Sequence, residues 1–260
     1  MLKILRARFD QGHRTNAFPA ELPPLPDRFR GRPAIDASRC PAGCRACAEA
    51  CPTEAIALGK AGPAVDLGRC LFCPDCAEAC PEQAITHSGD HRLAVRTVGD
   101  LVLDPGAPLR LARALDRELL RLYGRSLKLR VVSAGGCNGC EVDVNVLGTL
   151  AWDLGRFGIQ VVASPRHADG ILVCGPVTTH MEEALRRTYD AVPDPRIVIA
   201  VGACALSGGP YRKQFEQVGG APAVLPVDLF IPGCPPHPLT ILDGLLRLLG
   251  KLEAEGRVQG

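Results

Sequence analysis

The sequence predicts an α/β protein in which a small cysteine-rich domain precedes a doubly wound, mostly parallel sheet. Three observations lead to this prediction. Residues 39–88 contain an internal repeat, and each half of it is built around clustered cysteines. From residue 127 onward, short β-branched runs alternate with longer stretches of helical periodicity. The chain has 260 residues, which is enough for two modest domains.

The overall composition excludes several classes of function. Hydrophobic residues make up 47% of the chain, charged residues 22%, and the formal net charge is +2. This balance argues against nucleic-acid binding. No apolar run approaches the ~18 residues of a membrane span, and the first residues do not resemble a secretory signal. We therefore expect a soluble, cytoplasmic protein.

The 13 cysteines are the unusual feature of the composition. Disulfide bonds are the first alternative to consider. The odd number, the lack of a secretory signal and the clustering at metal-ligand spacings all argue against them. The cysteines are therefore expected to bind metal.

Residues 1–38 are predicted to form an N-terminal arm. The segment is rich in proline, and its basic residues outnumber its acidic ones. Leu2, Ile4, Leu5 and Phe9 have the spacing of one face of a short amphipathic turn. The arm is either a frayed tail or a segment that lies on a partner subunit. Its apolar side chains and its prolines favour the partner.

Residues 39–88 are predicted to form the cysteine-rich domain. The halves of its repeat run over residues 36–56 and 66–85, from Asp-x-x-Arg-Cys to Cys-Pro-x-x-Ala-Ile. Two copies of strand, cysteine loop, helical turn and strand imply a pseudo-twofold arrangement. A connector over residues 89–126 follows. Apolar residues at helical spacing predict a helix over 108–123 in this connector, and Gly124 is placed to end it.

Residues 127–252 are predicted to form the α/β domain. Buried strands are expected at 129–133, 159–163, 170–173 and 197–201. Helices are expected near 141–157, 180–190 and 238–252. This alternation predicts parallel strands joined by helices, as in flavodoxin-like folds.

The repeat carries the strongest motif in the sequence. Cys70-x2-Cys73-x2-Cys76-x3-Cys80-Pro81 has the spacing of a bacterial two-cluster ferredoxin, in which the fourth cysteine binds the other cluster. The upstream copy has one extra residue between Cys40 and Cys44, which makes Cys40 the least certain ligand. Zinc is the alternative, since paired Cys-x2-Cys units also bind zinc. Eight cysteines with two Cys-Pro closures favour two [4Fe–4S] clusters, held by Cys40, Cys44, Cys47 and Cys80 and by Cys70, Cys73, Cys76 and Cys51.

A second group of cysteines is spread over about a hundred residues. Its members are Cys137, Cys140, Cys204 and Cys234. Their segments follow predicted strands, and the loops at the carboxyl ends of a doubly wound sheet converge on one crevice. A third [4Fe–4S] cluster is therefore expected there. A redox dithiol or zinc is the alternative for a lone Cys-x2-Cys. Because four thiolates suffice for one cluster, Cys174 is interpreted as an unligated buried thiol.

Four segments of the C-terminal domain carry a family resemblance. They are Cys137-Asn-Gly-Cys140-Glu141, Ala163-Ser-Pro-Arg166-His167-Ala-Asp169, Val201-Gly-Ala-Cys204-Ala-Leu-Ser-Gly-Gly209 and Val227-Asp-Leu-Phe-Ile-Pro-Gly-Cys234-Pro-Pro. This part resembles the small, cluster-bearing subunit of energy-converting [NiFe]-hydrogenases, formate hydrogenlyases and respiratory complex I. The N-terminal part resembles the two-cluster ferredoxin subunit of the same complexes. The chain therefore resembles a fusion of the two: a ferredoxin-like two-cluster domain followed by a flavodoxin-like α/β domain.

The resemblance implies a function and a set of partners. The complex I subunit has adjacent cysteines at the first ligand position, whereas this chain has Cys-x2-Cys, as hydrogenase small subunits do. The hydrogenase branch is therefore favoured, and the alternative is the cluster subunit of a complex I-like quinone oxidoreductase or of a nickel-free relative. The implied role is electron transfer through three [4Fe–4S] clusters between a redox donor and the catalytic metal. That metal lies in a separate [NiFe]-hydrogenase-type large subunit.

The resemblance also suggests a location and three further residues. The expected neighbours are membrane subunits of a complex I-like arm and a soluble donor, either a ferredoxin or a formate dehydrogenase-type unit. The chain would then lie on the cytoplasmic side of the inner membrane, attached through its partners. Glu141 is a candidate proton relay, or alternatively a helix cap. Arg166 and His167 are expected behind the cluster ligands, where they would modulate the cluster; the alternative for the arginine is a pair with Asp169 or a surface carboxylate.

Overall fold

The computed structural model describes residues 2–12 and 14–252. Its N-terminal half contains short elements around the cysteine repeat. These are α1 (Leu2–Gln11), β1 (Pro33–Ile35), α2 (Ala46–Glu49), β2 (Ile56–Gly59), β3 (Gly62–Asp66), α3 (Asp75–Glu78), β4 (Ile85–His87), β5 (Val102–Leu103) and α4 (Arg117–Tyr123). The first strand of the repeat pairs antiparallel with the last, β1 with β4, and β2 pairs with β3. The two pairs give the repeat its expected internal symmetry, and β5 adds a third strand beside β3.

The C-terminal half is a five-stranded parallel sheet with helices. Its elements are β6 (Leu127–Ser133), α5 (Gly139–Val146), β7 (Ile159–Val161), β8 (Gly170–Cys174), α6 (Thr179–Asp190), β9 (Ile197–Val201), α7 (Ala203–Ser207), β10 (Leu229–Ile231) and α8 (Pro238–Leu248). The strand order is β10-β9-β8-β6-β7, and all pairs are parallel. Numbered within the sheet, this is the flavodoxin-like order 2-1-3-4-5. The predicted fold class is confirmed.

The central strands are buried on both faces, as their sequence predicts. Every residue of β8 and β9 is buried. On β8, Ile171 and Val173 face a core that continues into the cysteine repeat through Leu67 and Phe72. Leu172 faces the opposite core, which α8 covers. The repeat and the sheet therefore share one hydrophobic core.

Helix α8 carries an ion pair inside that second core. Asp243 and Arg247 are one turn apart and almost fully buried, and the arginine Nε donates to the Asp243 Oδ2 at 2.7 Å. Burial raises the pKa of Asp243, and the bond from Arg247 limits the rise. The buried imidazole of His91 lies 3.9 Å from the same carboxylate. Removing one member of such a buried pair leaves an uncompensated charge and costs about 3–5 kcal/mol.

Three predicted helices are shorter in the structure, and the one expected over 238–252 ends at Leu248. The prediction of a helix over 108–123 is wrong for its first half, because α4 begins only after Asp116. Leu109, Ala112 and Leu115 are buried in an irregular segment, in which the Leu115 N–H donates to the Leu248 carbonyl at 2.9 Å. The stretch near 141–157 is also divided, into α5 and a 3-10 turn at Leu154–Phe157.

The N-terminal arm combines an exposed helix with a packed segment. No residue of α1 is buried, so its contact with a partner stays a prediction. From Asn16 onward the arm packs on the chain itself. Phe18 is buried, and Arg156 donates to the carbonyl oxygens of Asn16 and Phe18, at 2.8 Å in each case. Within the described residues, no helix combines the length and the apolar character that membrane crossing requires.

Candidate iron–sulfur centres

The first cysteine set consists of Cys40, Cys44, Cys47 and Cys80. Burial raises the pKa of Cys47, and the nearby thiols of Cys40 and Cys80 add to the rise. Cys80, from the second repeat, therefore lies near Cys40 and Cys47 of the first repeat. The arrangement therefore matches the crosswise assignment for three of the four members. Cys44 lies in the same loop, between Cys40 and Cys47.

The second cysteine set consists of Cys51, Cys70, Cys73 and Cys76. Burial raises the pKa of Cys70 to about 12, and the thiols of Cys76, Cys51 and Cys73 contribute. Burial also raises the pKa of Cys76 to about 11, with contributions from Cys73 and Cys51. Cys51 of the first repeat is thus brought to the three cysteines of the second, which is the other half of the crosswise pattern.

The two Cys-Pro closures have the same local geometry. Glu54 and Gln83, three residues after Cys51 and Cys80, have positive φ values of 54° and 51°. This conformation turns the next backbone N–H back toward the cysteine. The N–H of Ala55 donates to the Cys51 Sγ, and the N–H of Ala84 donates to the Cys80 Sγ, both at 3.2 Å. Hydrogen bonds of this kind stabilise a thiolate and adjust the potential of a cluster bound to it.

The loop between Cys70 and Cys73 is held from several sides. The Phe72 N–H donates to the Cys70 Sγ at 3.3 Å, at a residue with a φ of 55°. The Phe72 carbonyl accepts from the Arg30 Nε at 2.6 Å. The His87 Nε2 lies 3.1 Å from the Cys73 carbonyl. Burial lowers the pKa of His87, so its neutral imidazole donates this bond near neutral pH.

The third cysteine set consists of Cys137, Cys140, Cys204 and Cys234. It lies beyond the carboxyl ends of the strands, where the sheet order reverses between β6 and β8. Cys137 and Cys140 follow β6, Cys204 lies in the first turn of α7, and Cys234 follows β10. The Ala203 N–H donates to the Gly233 carbonyl at 2.8 Å and so ties the last two segments together.

Gly202 lies close to the Cys140 sulfur of the third set. Its φ is +86°, and a Cβ at this position would lie 2.4 Å from the Cys140 Sγ. No side chain fits in that space, so glycine allows β9 and α7 to approach the cysteine. Glycine at position 202 therefore lets Cys140 lie close to the start of α7.

The four thiols of the third set interact with one another. Burial raises the pKa of Cys140, with contributions from Cys204, Glu141, Cys234 and Cys137. It raises the pKa of Cys204 to about 12, with contributions from Cys234 and Cys137. Thiols with raised pKa values are protonated near pH 7, so metal binding must release their protons. An all-sulfur donor set of four cysteines fits a [4Fe–4S] cluster.

The three sets form a continuous series. The pKa of Cys76 in the second set responds to Cys47 in the first. Burial raises the pKa of Cys234 in the third set, and Cys73 in the second set contributes. The second set therefore lies between the other two. Among residues 2–12 and 14–252, no group of three or more histidine, cysteine, aspartate or glutamate side chains is placed to hold a single metal ion.

The remaining predicted site residues lie in different surroundings. Glu141 is buried, and its Oε1 has no hydrogen-bond partner among the described residues. Arg166 and His167 are exposed, on the 3-10 turn Pro165–His167, so their action on the cluster stays a prediction. Cys174 is fully buried at the end of β8, near Cys140 and Cys204.

Sequence reasoning missed Asp143. This residue lies one helical turn after Cys140 and lines a cleft together with Cys234. Burial raises its pKa. The i, i+3 spacing from a predicted ligand was the available signal, since it puts Asp143 on the same side of α5 as Cys140.

Two family models match the chain. One is described as "NADH ubiquinone oxidoreductase, 20 Kd subunit" and matches residues 137–248. The other is described as "4Fe-4S dicluster domain" and matches residues 32–85. Among curated proteins, "Probable membrane-bound hydrogenase subunit mbhJ" of Pyrococcus furiosus is 42% identical over 135 residues, which is 52% of this chain and 81% of that protein.

The chain belongs to the family of the 20 kDa subunit of NADH ubiquinone oxidoreductase. The dicluster match shows that this family member also holds iron–sulfur clusters in its N-terminal part, which confirms the predicted fusion.

Two other curated relatives have names that refer to different oxidoreductases. An NADH-quinone oxidoreductase subunit from Bacteroides thetaiotaomicron is 44% identical over 135 residues, covering 51% of this chain and 68% of that protein. "Formate hydrogenlyase subunit 7" of Escherichia coli K12 is 42% identical over 147 residues, covering 56% of this chain and 58% of that protein. The family members named here are subunits of oxidoreductases of different kinds.

Proposed function

We propose that this chain is the electron-transfer small subunit of an energy-converting [NiFe]-hydrogenase or formate hydrogenlyase-like complex. The observation that carries the proposal is the proximity of Cys73 to Cys234, which puts the dicluster module beside the third cysteine set. When bound, each [4Fe–4S] cluster supplies a site that takes up and releases one electron. Three such clusters in one chain would connect an external donor to a partner's catalytic metal.

The residues of the chain would divide this work among them. The first, second and third cysteine sets would each hold one cluster. The N–H groups of Ala55, Ala84 and Phe72 would stabilise the ligand sulfurs and adjust the potentials. The proposed domains are the arm at 1–38, the dicluster domain at 39–88, the connector at 89–126 and the α/β domain at 127–252.

The partners are proposed from the family. They are a [NiFe]-hydrogenase-type large subunit, membrane subunits of a complex I-like arm, and a ferredoxin or formate dehydrogenase-type donor. The names of the relatives from Pyrococcus furiosus and Escherichia coli support this choice. The chain would lie on the cytoplasmic side of the inner membrane and attach to it through these partners.

The remaining predicted site residues and Cys174 also receive proposed roles. Glu141 would relay protons near the large subunit, a role supported by its buried Oε1, which lacks a protein partner within the described residues. Arg166 and His167 would adjust the third cluster from the 3-10 turn Pro165–His167. Cys174 would stay unligated.

A complex I-like quinone oxidoreductase is the second candidate function. It is favoured by the description of the matching family and by the Bacteroides thetaiotaomicron relative, whose identity is as high as that of the hydrogenase relatives. The fold and the cysteine sets would be the same in both cases. Only the chemistry of the large subunit would differ.

The deciding experiment is an anaerobic purification of the tagged chain with its partners from its own host. The complex is assayed for nickel, iron and hydrogen uptake. Nickel together with hydrogen uptake is the expected result. Iron without nickel would refute the hydrogenase proposal and leave the quinone candidate in its place.

The ligand assignment has its own test in a matched pair of variants. Cys204→Ala should remove about one third of the iron, because one of three clusters loses a ligand. Cys174→Ala, at a neighbouring buried thiol, should keep the iron content of the wild type. Loss of iron from Cys174→Ala, with none from Cys204→Ala, would reverse the assignment.

A further inference from the structure

We propose that residues 29–32, here called the strap, fix the loop of the second cysteine set against the loop that carries Cys234. The inference rests on the proposed function, in which these two loops hold neighbouring clusters. The strap residues are Phe29, Arg30, Gly31 and Arg32. They act as positioning residues, because they hold the backbone of the ligand loops and are not ligands themselves.

Arg30 of the strap contacts the loop of the second cysteine set. The Arg30 Nε donates to the Phe72 carbonyl at 2.6 Å. Phe72 lies between Cys70 and Cys73 in a positive-φ conformation, and its own N–H donates to the Cys70 Sγ. A hydrogen bond from a guanidinium is stronger than one between neutral groups. Arg30 therefore stabilises the turn that presents two of the four cysteines.

Phe29 of the strap contacts the loop that carries Cys234. The Phe29 ring meets the His237 ring edge to face, with 5.4 Å between the centroids. The His237 Nδ1 accepts from the Leu239 N–H at 3.2 Å and so caps α8. Because His237 follows Cys234 by three residues, its fixed ring sets the exit of the cysteine loop. A second edge contact, from Trp152 at 5.9 Å, holds the ring from another side.

The C-terminal half of the strap, Gly31 and Arg32, is hydrogen-bonded to the segment after β4. The Gly31 N–H donates to the Ser88 carbonyl at 2.8 Å, and the Arg32 N–H donates to the Asp90 carbonyl at 2.9 Å. A Cβ at Gly31 would lie 2.3 Å from the Asp90 carbonyl oxygen, so the two backbones are in close contact. This anchor lies beyond the end of the repeat, so the strap is held independently of both loops.

The strap and the two loops line one cleft. The cleft has a volume of about 300 Å³, and its lining includes Phe29 and Arg30 of the strap together with Phe72 and Cys234. Other contacts join the repeat to the sheet through α7 and the residues after it. The Ser207 Oγ donates to the Gly68 carbonyl at 2.8 Å, and Arg212 pairs with Glu54 at 3.1 Å. The strap therefore adds a connection between the repeat and the sheet beside the cleft, in addition to the contacts through α7 and Arg212.

The test uses the intact complex with Phe29→Ala, Arg30→Ala and the double variant. Hydrogen exchange of the amides at 70–74 and 233–237 reports the mobility of the two loops. The magnetic interaction between neighbouring reduced clusters, measured by electron paramagnetic resonance, reports their relative placement. We expect exchange in both loops to rise about tenfold in the double variant. The magnetic interaction should weaken while the iron content stays that of the wild type.

Two matched variants complete the design. Arg28→Ala removes an exposed arginine that lines the same cleft, and it should behave as the wild type. Arg30→Lys keeps a donor and should restore part of the protection. Wild-type exchange and wild-type magnetic interaction in the double variant would overturn the proposal. If the double variant fails to assemble, Phe29→Leu and Arg30→Ala decide by the same two readouts.

Failure of the strap is distinguishable from failure of the proposed function. A wild-type complex that lacks cluster iron would refute the function, whereas hydrogen exchange would still test the strap. A loaded wild type whose strap variants are unchanged would refute the strap alone.

Discussion

At position 202, two independent constraints require glycine. The backbone has a φ of +86°, which L side chains rarely adopt, and a Cβ would lie 2.4 Å from the Cys140 Sγ. We predict that Gly202→Ala displaces Cys140 or the start of α7, because neither backbone nor sulfur can give way without moving a ligand. The iron content should fall by about one third, with two of three clusters retained.

Gly99→Ala is the control for this prediction. A Cβ at Gly99 would meet its nearest atom at 3.9 Å, an ordinary contact, and this residue lies away from the third set. Iron analysis and absorption spectra of the two purified variants make the comparison. Full iron in Gly202→Ala would mean that the third set does not depend on this close approach.

Single residues differ in how far sequence alone identifies them. The cysteines are recognisable because their spacing repeats and because metal ligation demands thiols. Arg30 and Asp143 are not, since an arginine in a proline-rich arm and an acid on a helix have many ordinary roles. Their positions depend on contacts across 42 residues for Arg30 and on the shape of a cleft for Asp143. Such long-range placement leaves no local pattern.

Among the helices, α4 depends on one side chain for its start. The Asp116 Oδ1 accepts from the N–H groups of Glu118 and Leu119, at 3.1 and 2.9 Å. We predict that Asp116→Ala lowers the free energy of unfolding by about 1 kcal/mol, because two N–H groups lose their acceptor. Denaturant titration measures the change. Asp116→Asn keeps a capping oxygen and should lose much less; an equal loss in both variants would contradict a capping role.

The same helix shows where pattern reasoning fails at the level of elements. Leu109, Ala112 and Leu115 recur every three residues, which fits one face of a helix. The structure buries them along an irregular segment instead. In it, the Ala112 N–H donates to the Ala94 carbonyl and the Leu115 N–H donates to the Leu248 carbonyl. The central strands β8 and β9 were predictable because burial on both faces demands continuous apolar runs. The expectation of a buried strand over 159–163 is wrong, since only Ile159 of β7 is buried, and β10 was not among the expected strands. Periodicity cannot identify a covering segment, because the neighbours that it covers are remote in sequence.

At the scale of the whole molecule, burial makes three histidines of the described ranges 2–12 and 14–252 harder to protonate. Burial lowers the pKa values of His87, His91 and His237 below 6.5. The unfolded chain therefore binds protons more readily than the folded chain between these lowered values and 6.5. Folding stability contributed by these groups is complete above pH 6.5 and is lost as the pH falls below it.

His91 offers the clearest test of this pH dependence. We predict that His91→Asn reduces the loss of unfolding free energy between about pH 7.5 and about pH 5.5, by up to about 1 kcal/mol. Denaturant titrations at both pH values provide the measurement, and the exposed His167→Asn serves as the control. A wild-type pH response in His91→Asn would show that other groups, such as the cysteine ligands, account for the acid sensitivity.

The pairing of β1 with β4 has a consequence for the history of this chain. It brings the two ends of the cysteine repeat side by side, and the pairing continues outward, with the Ser88 N–H donating to the Arg32 carbonyl at 3.0 Å. Topologically, residues 33–87 are a cassette inserted at one point of a longer chain. Gene fusion or excision at that point would need only a short turn between Arg32 and Ser88. Excision at that point would also remove β3, the partner of β5, and would uncover the core that the repeat shares with the parallel sheet, so the two parts are expected to have adapted to one another after any such event.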